Sequence, residues 1–274
     1  KFNTDGWTGS LSAFPLSNTG EIQAVAWDAA DKLQAINPND RKILTYNEDN
    51  NTGVEFNLVN LSTAQKADLL VGVDADDDGR TADDDDVQLM IDYLRGDKSN
   101  EGSEVTKYRP RVKTLGDIVN STPVFVGPAE LNWPNSTENS KFGATGNEYA
   151  DFKLSVADRE PLLYVGSNDG MLHGFNADNA SVDAGKERMA YIPSAVSSSA
   201  RDEGLHYLAD KAYSHQFYVD LTPSASDVYI DNGSGTKDWR TVLVGGLRAG
   251  GRGLFALDVT DPTKYTNLAA NADS

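Results

Sequence analysis

The rhythm of apolar and polar positions changes near residue 105. Before that point, two segments carry apolar residues at helical spacing. Residues 21–36 (EIQAVAWDAADKLQAI) place Val25, Ala29, Leu33 and Ile36 on one face, which predicts a helix. Residues 87–95 (VQLMIDYLR) pair Leu89 with Tyr93 and Met90 with Leu94 at i, i+4, which predicts another. Residues 62–72 (STAQKADLLVG) read as a helix capped by Ser62 or Thr63. Residues 1–20 alternate and then turn at Asn18-Thr19-Gly20, as a strand or hairpin does. Residues 41–46 (RKILTY) read as a strand and 47–56 as a polar loop.

After residue 105 the pattern is that of short strands. They are expected at 117–127, 162–166, 171–176, 188–192, 217–220, 227–231, 239–246 and 253–259, with Gly, Asn and Asp turns between them. Asn168-Asp169-Gly170 joins two of them and signals a hairpin, because Asn and Gly tolerate the positive φ that such a turn needs. Three stretches share one plan: PVFVG, LLYVGSNDGMLHGFNA and TVLVGGLRAGGRGLFALDVTDP. In each an apolar strand ends in Val-Gly. In the two longer ones a turn and a second strand follow. That degenerate repeat predicts β-propeller blades.

The acidic stretch between the two later helices changes the picture most. Eight aspartates fall within the thirteen positions Asp74 to Asp86. They follow the order of an EF-hand-type loop: Asp74 at position one, Asp76 at three, Asp78 at five, Gly79 at six, Arg80 at seven and Asp85 at twelve. Four carboxylates and the Arg80 carbonyl would converge on a hard cation, and calcium takes six to eight oxygens in flexible geometry. Two positions depart from the pattern. Asp85 is shorter than the usual Glu, and Thr81 stands where an apolar residue is common. The second departure fits a solitary loop inserted in a larger protein. A solvated acidic run is the competing reading. Arg95-Gly96-Asp97 follows directly. It reads either as an integrin-type adhesive tripeptide or as a plain helix end, with Gly96 at C′ and Arg95 at the negative pole.

Composition excludes several classes. The chain has 274 residues and a net charge of −18. The acidic window alone accounts for −7, eight Asp against one Arg. Phosphate binding needs a basic face, so nucleic acid is not an expected partner. With no cysteine, disulfides, thiolate metal sites and cysteine catalysis are excluded. No run of about 18 apolar residues is present to span a membrane as a helix. The chain starts at Lys1 without a Met or signal peptide, as a mature or excised piece would.

No catalytic pattern stands out. His173, His206 and His215 are not at paired ligand spacing, and no HExxH, Gly-x-Ser-x-Gly or Gly-Lys-Ser/Thr string occurs. Gly250-Gly251-Arg252-Gly253 precedes a strand, so it reads as a blade turn. Asp117, Asp169, Asp220 and Asp258 read as turn-pinning groups.

GWTGSLSAFPL, WDAADKL, YRPRVKTLGDIVNSTPVFVG, LLYVGSNDGMLHGFNA, KERMAYIP, YSHQFYVD and WRTVLVGGLRAGGRGLFALDVTDP occur in that order. In these strings the chain resembles the PilY family of type IV pilus tip-associated biogenesis factors and adhesins, from about Gly6 to Pro262. The polar stretch 128–160 is the least typical part. The resemblance implies a mainly β fold, a modified quinoprotein-like β-propeller without a catalytic role, carrying a helix–calcium loop–helix insert. It implies export to the pilus tip, cell surface or outer membrane. It implies association with minor pilins and with host or abiotic surfaces. The family supports pilus extension by countering retraction, and with it attachment and twitching motility. Its calcium role maps only onto Asp74, Asp76, Asp78, Arg80 and Asp85. The von Willebrand metal string Asp-x-Ser-x-Ser of some members is absent. The expected organisation is first propeller strands and helix at 1–61, the calcium insert at 62–104, and further blades at 105–274 of an incomplete propeller. Two other functions compete: a quinoprotein dehydrogenase using pyrroloquinoline quinone with calcium, and a non-catalytic envelope scaffold.

Overall fold

A computed structural model describes residues 2–4, 6–72, 83–104, 107–134, 143–144, 147–231, 233 and 235–266. The chain opens with two small antiparallel pairings. β1 (Phe2–Asn3) meets β2 (Thr8–Gly9), and β3 (Ser12–Ala13) meets β4 (Trp27–Asp28). Helix α1 (Ala29–Gln34) follows β4 directly. The helix expected over 21–36 is therefore only its last part. The reason is local. Asp28 holds an extended backbone, its Oδ1 accepts from Ala30 N–H, and its Oδ2 accepts from the hydroxyls of Ser10 and Ser12. Upstream, Ala26 N–H donates to Ala13 and Gln23 N–H to Pro15, so the segment pairs as a hairpin arm and leaves Val25 exposed.

β5 (Ile43–Asn47) turns into β6 (Thr52–Glu55), which replaces the loop expected over 47–56. Helices α2 (Thr63–Leu69) and α3 (Asp84–Arg95) come next. Then follow β7 (Val124–Val126), β8 (Gly143–Ala144), β9 (Asn147–Glu148) and helix α4 (Tyr149–Ser155). The remaining strands are β10 (Leu162–Gly166), β11 (Leu172–Asn176), β12 (Glu187–Ile192), β13 (Ser224–Asp231), β14 (Lys237–Gly246) and β15 (Leu254–Asp258).

β7, β10, β11 and β12 form an antiparallel meander, the form of one propeller blade. β12 pairs in parallel with β5, so the sheet extends to six strands in the order β6-β5-β12-β11-β10-β7. β13, β14 and β15 make a second antiparallel sheet. The fold is mainly β, as expected, and the described sheets do not close into a ring. The Asn168-Asp169-Gly170 hairpin stands between β10 and β11, with Gly170 at φ +91° and Leu205 Cδ2 2.7 Å from where a Cβ would sit.

Two expected strands are shorter or missing. Only Val124–Val126 of 117–127 pairs, since Pro123 has no N–H to give a ladder. Residues 217–220 form no strand. Tyr218 N–H instead donates to the Asn168 side chain and Val219 N–H to Ser167 O, both on the hairpin turn.

The main core joins both parts of the chain. Val87, Met90, Ile91 and Leu94 of α3 are buried with Ile43, Leu69, Leu172, Ile192 and Leu208. Burial of each such side chain contributes about 1.5–3 kcal/mol. A second cluster sits around Trp27, Leu33, Leu115, Val165 and Phe175. In the polar stretch, Tyr149, Phe152 and Val156 pack against Trp239 as a small aromatic cluster.

Candidate functional site: the two helices around the acidic loop

Each helix beside the acidic stretch has a built start. Ser62 accepts from Gln65 N–H, and the Gln65 side chain accepts from Ser62 N–H. Asp83 and Asp86 form the same reciprocal box at the start of α3. Such boxes satisfy N–H groups that the first helical turn leaves without partners. The Gln65 amide also donates to the buried Thr45 hydroxyl at 2.7 Å, tying α2 to β5. Lys66 of α2 pairs with Asp84 of α3 at 3.2 Å. This exposed pair adds at most about 1 kcal/mol, but it brings the two ends of the loop together.

The four acids Asp83 to Asp86 divide by role. Asp83 and Asp86 cap, and Asp84 meets Lys66. Asp85 is exposed, and its carboxylate has no hydrogen bond or ion pair among the described residues. It is the acid that the sequence places at position twelve of a calcium loop. Asp74, Asp76, Asp78 and Arg80 lie outside the described residues. The described part fits a hard cation to this extent: the exit helix is anchored in the core, and its uncommitted carboxylate is the one the pattern requires. Among the described residues alone, no cluster of three or more metal-ligating groups occurs.

At the other end of α3, Arg95-Gly96-Asp97 has the geometry of the second of its two readings, the plain helix end. Arg95 is buried, 6% exposed, and donates to the carbonyls of Pro38, Asn39, Phe56 and Arg41. Gly96 takes the left-handed conformation that ends the helix, at φ 111°. Asp97 Oδ1 accepts from Ser99 N–H at 2.7 Å. An integrin-type contact would require Arg95 to leave this site. The tripeptide is a helix end whose guanidinium is held by backbone.

A buried charged network, not foreseen from sequence, lies beyond that helix end. Arg41 Nη1 donates to Arg95 O at 2.8 Å, and Arg41 pairs with Glu187. Glu187 Oε1 meets His173 Nδ1 at 2.8 Å, and His173 Nε2 meets Asp169 at 3.1 Å. Burial pushes the His173 pKa down, but Asp169 and Glu187 outweigh it and raise it to about 9. Burial pushes Glu187 up, but Arg41 and His173 outweigh it and hold it at about 2. The four groups are thus two cations and two anions near neutrality. His173 in β11 and Glu187 in β12 gave one signal, charged or titratable groups within strands that are otherwise mostly apolar.

The other singled-out aspartates hold turns. Asp169 accepts from Gly116 and Met171 N–H, and Asp258 from Thr260 N–H. Asp117 accepts from the Asn168 side chain and faces His215 Nε2 at 2.8 Å. Asp220 accepts from both the backbone and the side chain of Asn120. His206 lies against Asp68 at 2.6 Å. Each histidine is thus fixed to a carboxylate of the scaffold.

Residues 115–272 match the sequence model of a family described as the PilY1 beta-propeller domain. The chain belongs to the PilY1 β-propeller family. It is 39% identical over 270 residues to the type IV pilus biogenesis factor PilY1 of Pseudomonas aeruginosa (strain PAK), covering 96% of this chain and 21% of the relative. It is 46% identical over 180 residues to a PilY1 homolog of Xylella fastidiosa (strain Temecula1), covering 65% of this chain and 13% of the relative. Among solved structures it is similar to the P. aeruginosa PilY1 C-terminal domain, at 41% identity, 51% of this chain, 23% of that chain and a TM-score of 0.34. The chain spans about a fifth of the length of the curated PilY1 proteins it matches. Among the described residues, no helix is long and apolar enough to cross a membrane.

Proposed function

We propose that this chain is a non-catalytic, calcium-responsive part of a type IV pilus biogenesis factor. The reading places it in an exported protein at the pilus tip, where it meets minor pilins. There it supports pilus extension, surface attachment and twitching motility. Family membership supports the pilus role, since the relatives are named as pilus biogenesis factors. One observation carries the calcium part: of the four acids opening α3, Asp85 is the one whose carboxylate has no partner among the described residues.

Asp74, Asp76, Asp78 and Asp85 would supply carboxylates, and Arg80 its carbonyl. Bound calcium would neutralise carboxylates that otherwise repel one another. The chain's own part is to hold the loop ends. α3 is anchored in the core, and Ser62 and Asp83 fix where the two helices begin.

The test is a parent protein carrying Asp78→Ala or Asp85→Ala in a strain lacking its own copy. The proposal expects normal protein levels with reduced surface pili and twitching. Wild-type twitching from both variants, at equal protein levels, would overturn the calcium part. Wild-type twitching without the protein at all would overturn the pilus role.

A further inference from the structure

Residues 108–113 read Tyr-Arg-Pro-Arg-Val-Lys, three cations at alternate positions of a chain whose net charge is −18. Pro110 keeps its predecessor extended, and alternation on an extended backbone sends Arg109, Arg111 and Lys113 to one side. All three line one cavity of about 30 Å3. Two of them are already paired. Arg111 meets Glu101 at 2.8 Å and stacks 3.6 Å over Tyr93, and Lys113 meets Asp31 at 2.9 Å.

Arg109 differs. It is half-buried, and no ion pair reaches it among the described residues. Yet it is held in place from several directions. Its Nε donates to Leu208 O at 3.0 Å, its N–H donates to Ala209 O, and its guanidinium lies 4.5 Å over the Tyr213 ring. Its own carbonyl accepts from the Tyr93 hydroxyl at 3.1 Å. The Tyr93 side chain also hydrogen-bonds the guanidinium, and among the described residues no carboxylate pairs with it. An oriented, partly desolvated guanidinium held only by neutral groups and lacking a carboxylate partner is preorganised for the pairing that arginine makes with a carboxylate.

We propose that this cavity is a carboxylate-binding site, with Arg109 as the recognising group and a terminal or side-chain carboxylate of a peptide as the ligand. Size and charge select that class. About 30 Å3 admits roughly two waters, or the head of one carboxylate. Asp117 and Asp169 also line the cavity, and they disfavour a doubly charged anion such as phosphate. The proposal is independent of the calcium loop.

The test is nuclear magnetic resonance of the arginine Nε–H signals of the whole chain. The probes are N-acetylglycylglycine, N-acetylglutamate amide, N-acetylglycylglycine amide and inorganic phosphate. The first carries a terminal carboxylate and the second a side-chain one. The site predicts a saturable shift of the Arg109 Nε–H and Tyr213 ring signals with one or both carboxylates. It predicts none with the amide, and weaker binding of phosphate. The two carboxylate probes tell a chain end from an acidic side chain. Arg109→Gln weakens binding roughly ten- to hundredfold. Arg109→Lys keeps the charge but loses the planar guanidinium, so it also weakens binding while conserving the fold. No saturable shift, equal binding of the amide or of phosphate, or full affinity in Arg109→Lys would each overturn the proposal.

Discussion

Arg41 and Glu187, 146 residues apart in sequence, form a two-point ion pair, with Nε–Oε2 at 2.7 Å and Nη2–Oε1 at 2.9 Å. Both side chains are buried. The pair joins Arg41, two residues ahead of β5, to the first residue of β12, just before the parallel pairing of those strands begins at Ile43 and Ala190. Arg41 also reaches the last carbonyls of α3, so one side chain ties the blade to the helix that leaves the acidic loop. Removing one partner leaves the other charged and buried. Arg41→Ala is expected to cost about 3–5 kcal/mol, read as a lower midpoint in urea. A loss below about 1 kcal/mol would mean that the pair is solvated in solution.

His173 gives this network a pH signature. Its pKa rises from 6.5 to about 9, because Asp169 and Glu187 outweigh burial. A raised folded pKa stabilises fully below 6.5, and the contribution is lost as pH climbs through 9. Glu187 works at the acid side. Its pKa falls from 4.5 to about 2, so its contribution holds above 4.5 and is lost as pH drops through 2. Thermal midpoints between these limits and beyond them should trace that plateau. His173→Gln should flatten the alkaline fall, and an unchanged alkaline slope in the variant would contradict the assignment.

Gly96 ends α3 in a left-handed conformation, and an added Cβ would lie 2.8 Å from Thr114 Cγ2. Gly96→Ala should therefore destabilise the protein by about 1–3 kcal/mol. Denaturation in urea measures it. A neutral substitution would show that the helix end relaxes without cost.

Ser62 fixes where α2 begins. Ser62→Ala removes one side of the capping box and should cost about 1 kcal/mol, seen as faster hydrogen exchange across Thr63–Leu69. Unchanged exchange there would mean that the Gln65 bond to Thr45 alone holds the helix.

Local signals in the sequence mapped well onto local structure. The Asn-Asp-Gly turn, the Ser62 cap and the apolar rows of α3 each act within a few residues, and each stands as read. The failures came where a distant partner decided. Residues 21–28 have helical spacing, but Ala13 and Pro15 take their N–H groups as a hairpin. Residues 217–220 look like a strand, but the turn at 167–168 takes two of theirs. The helix end at Arg95-Gly96 was readable, but not that carbonyls from Pro38 to Phe56 would enclose Arg95. The Arg41–Glu187–His173–Asp169 network was illegible for the same reason. No spacing rule joins residue 41 to residue 187. Arg109, by contrast, lay in a visible alternation of cations. What the sequence lacked was which of the three would go unpaired.

Calorimetric titration of calcium into this chain and its Asp78→Ala variant, followed by hydrogen exchange over residues 62–97, tests the central claim most directly. The account predicts heat of binding and protection of the loop and the start of α3, both lost in the variant. No heat and no protection at calcium on the order of millimolar would contradict it, and would leave residues 74–86 as a solvated acidic run.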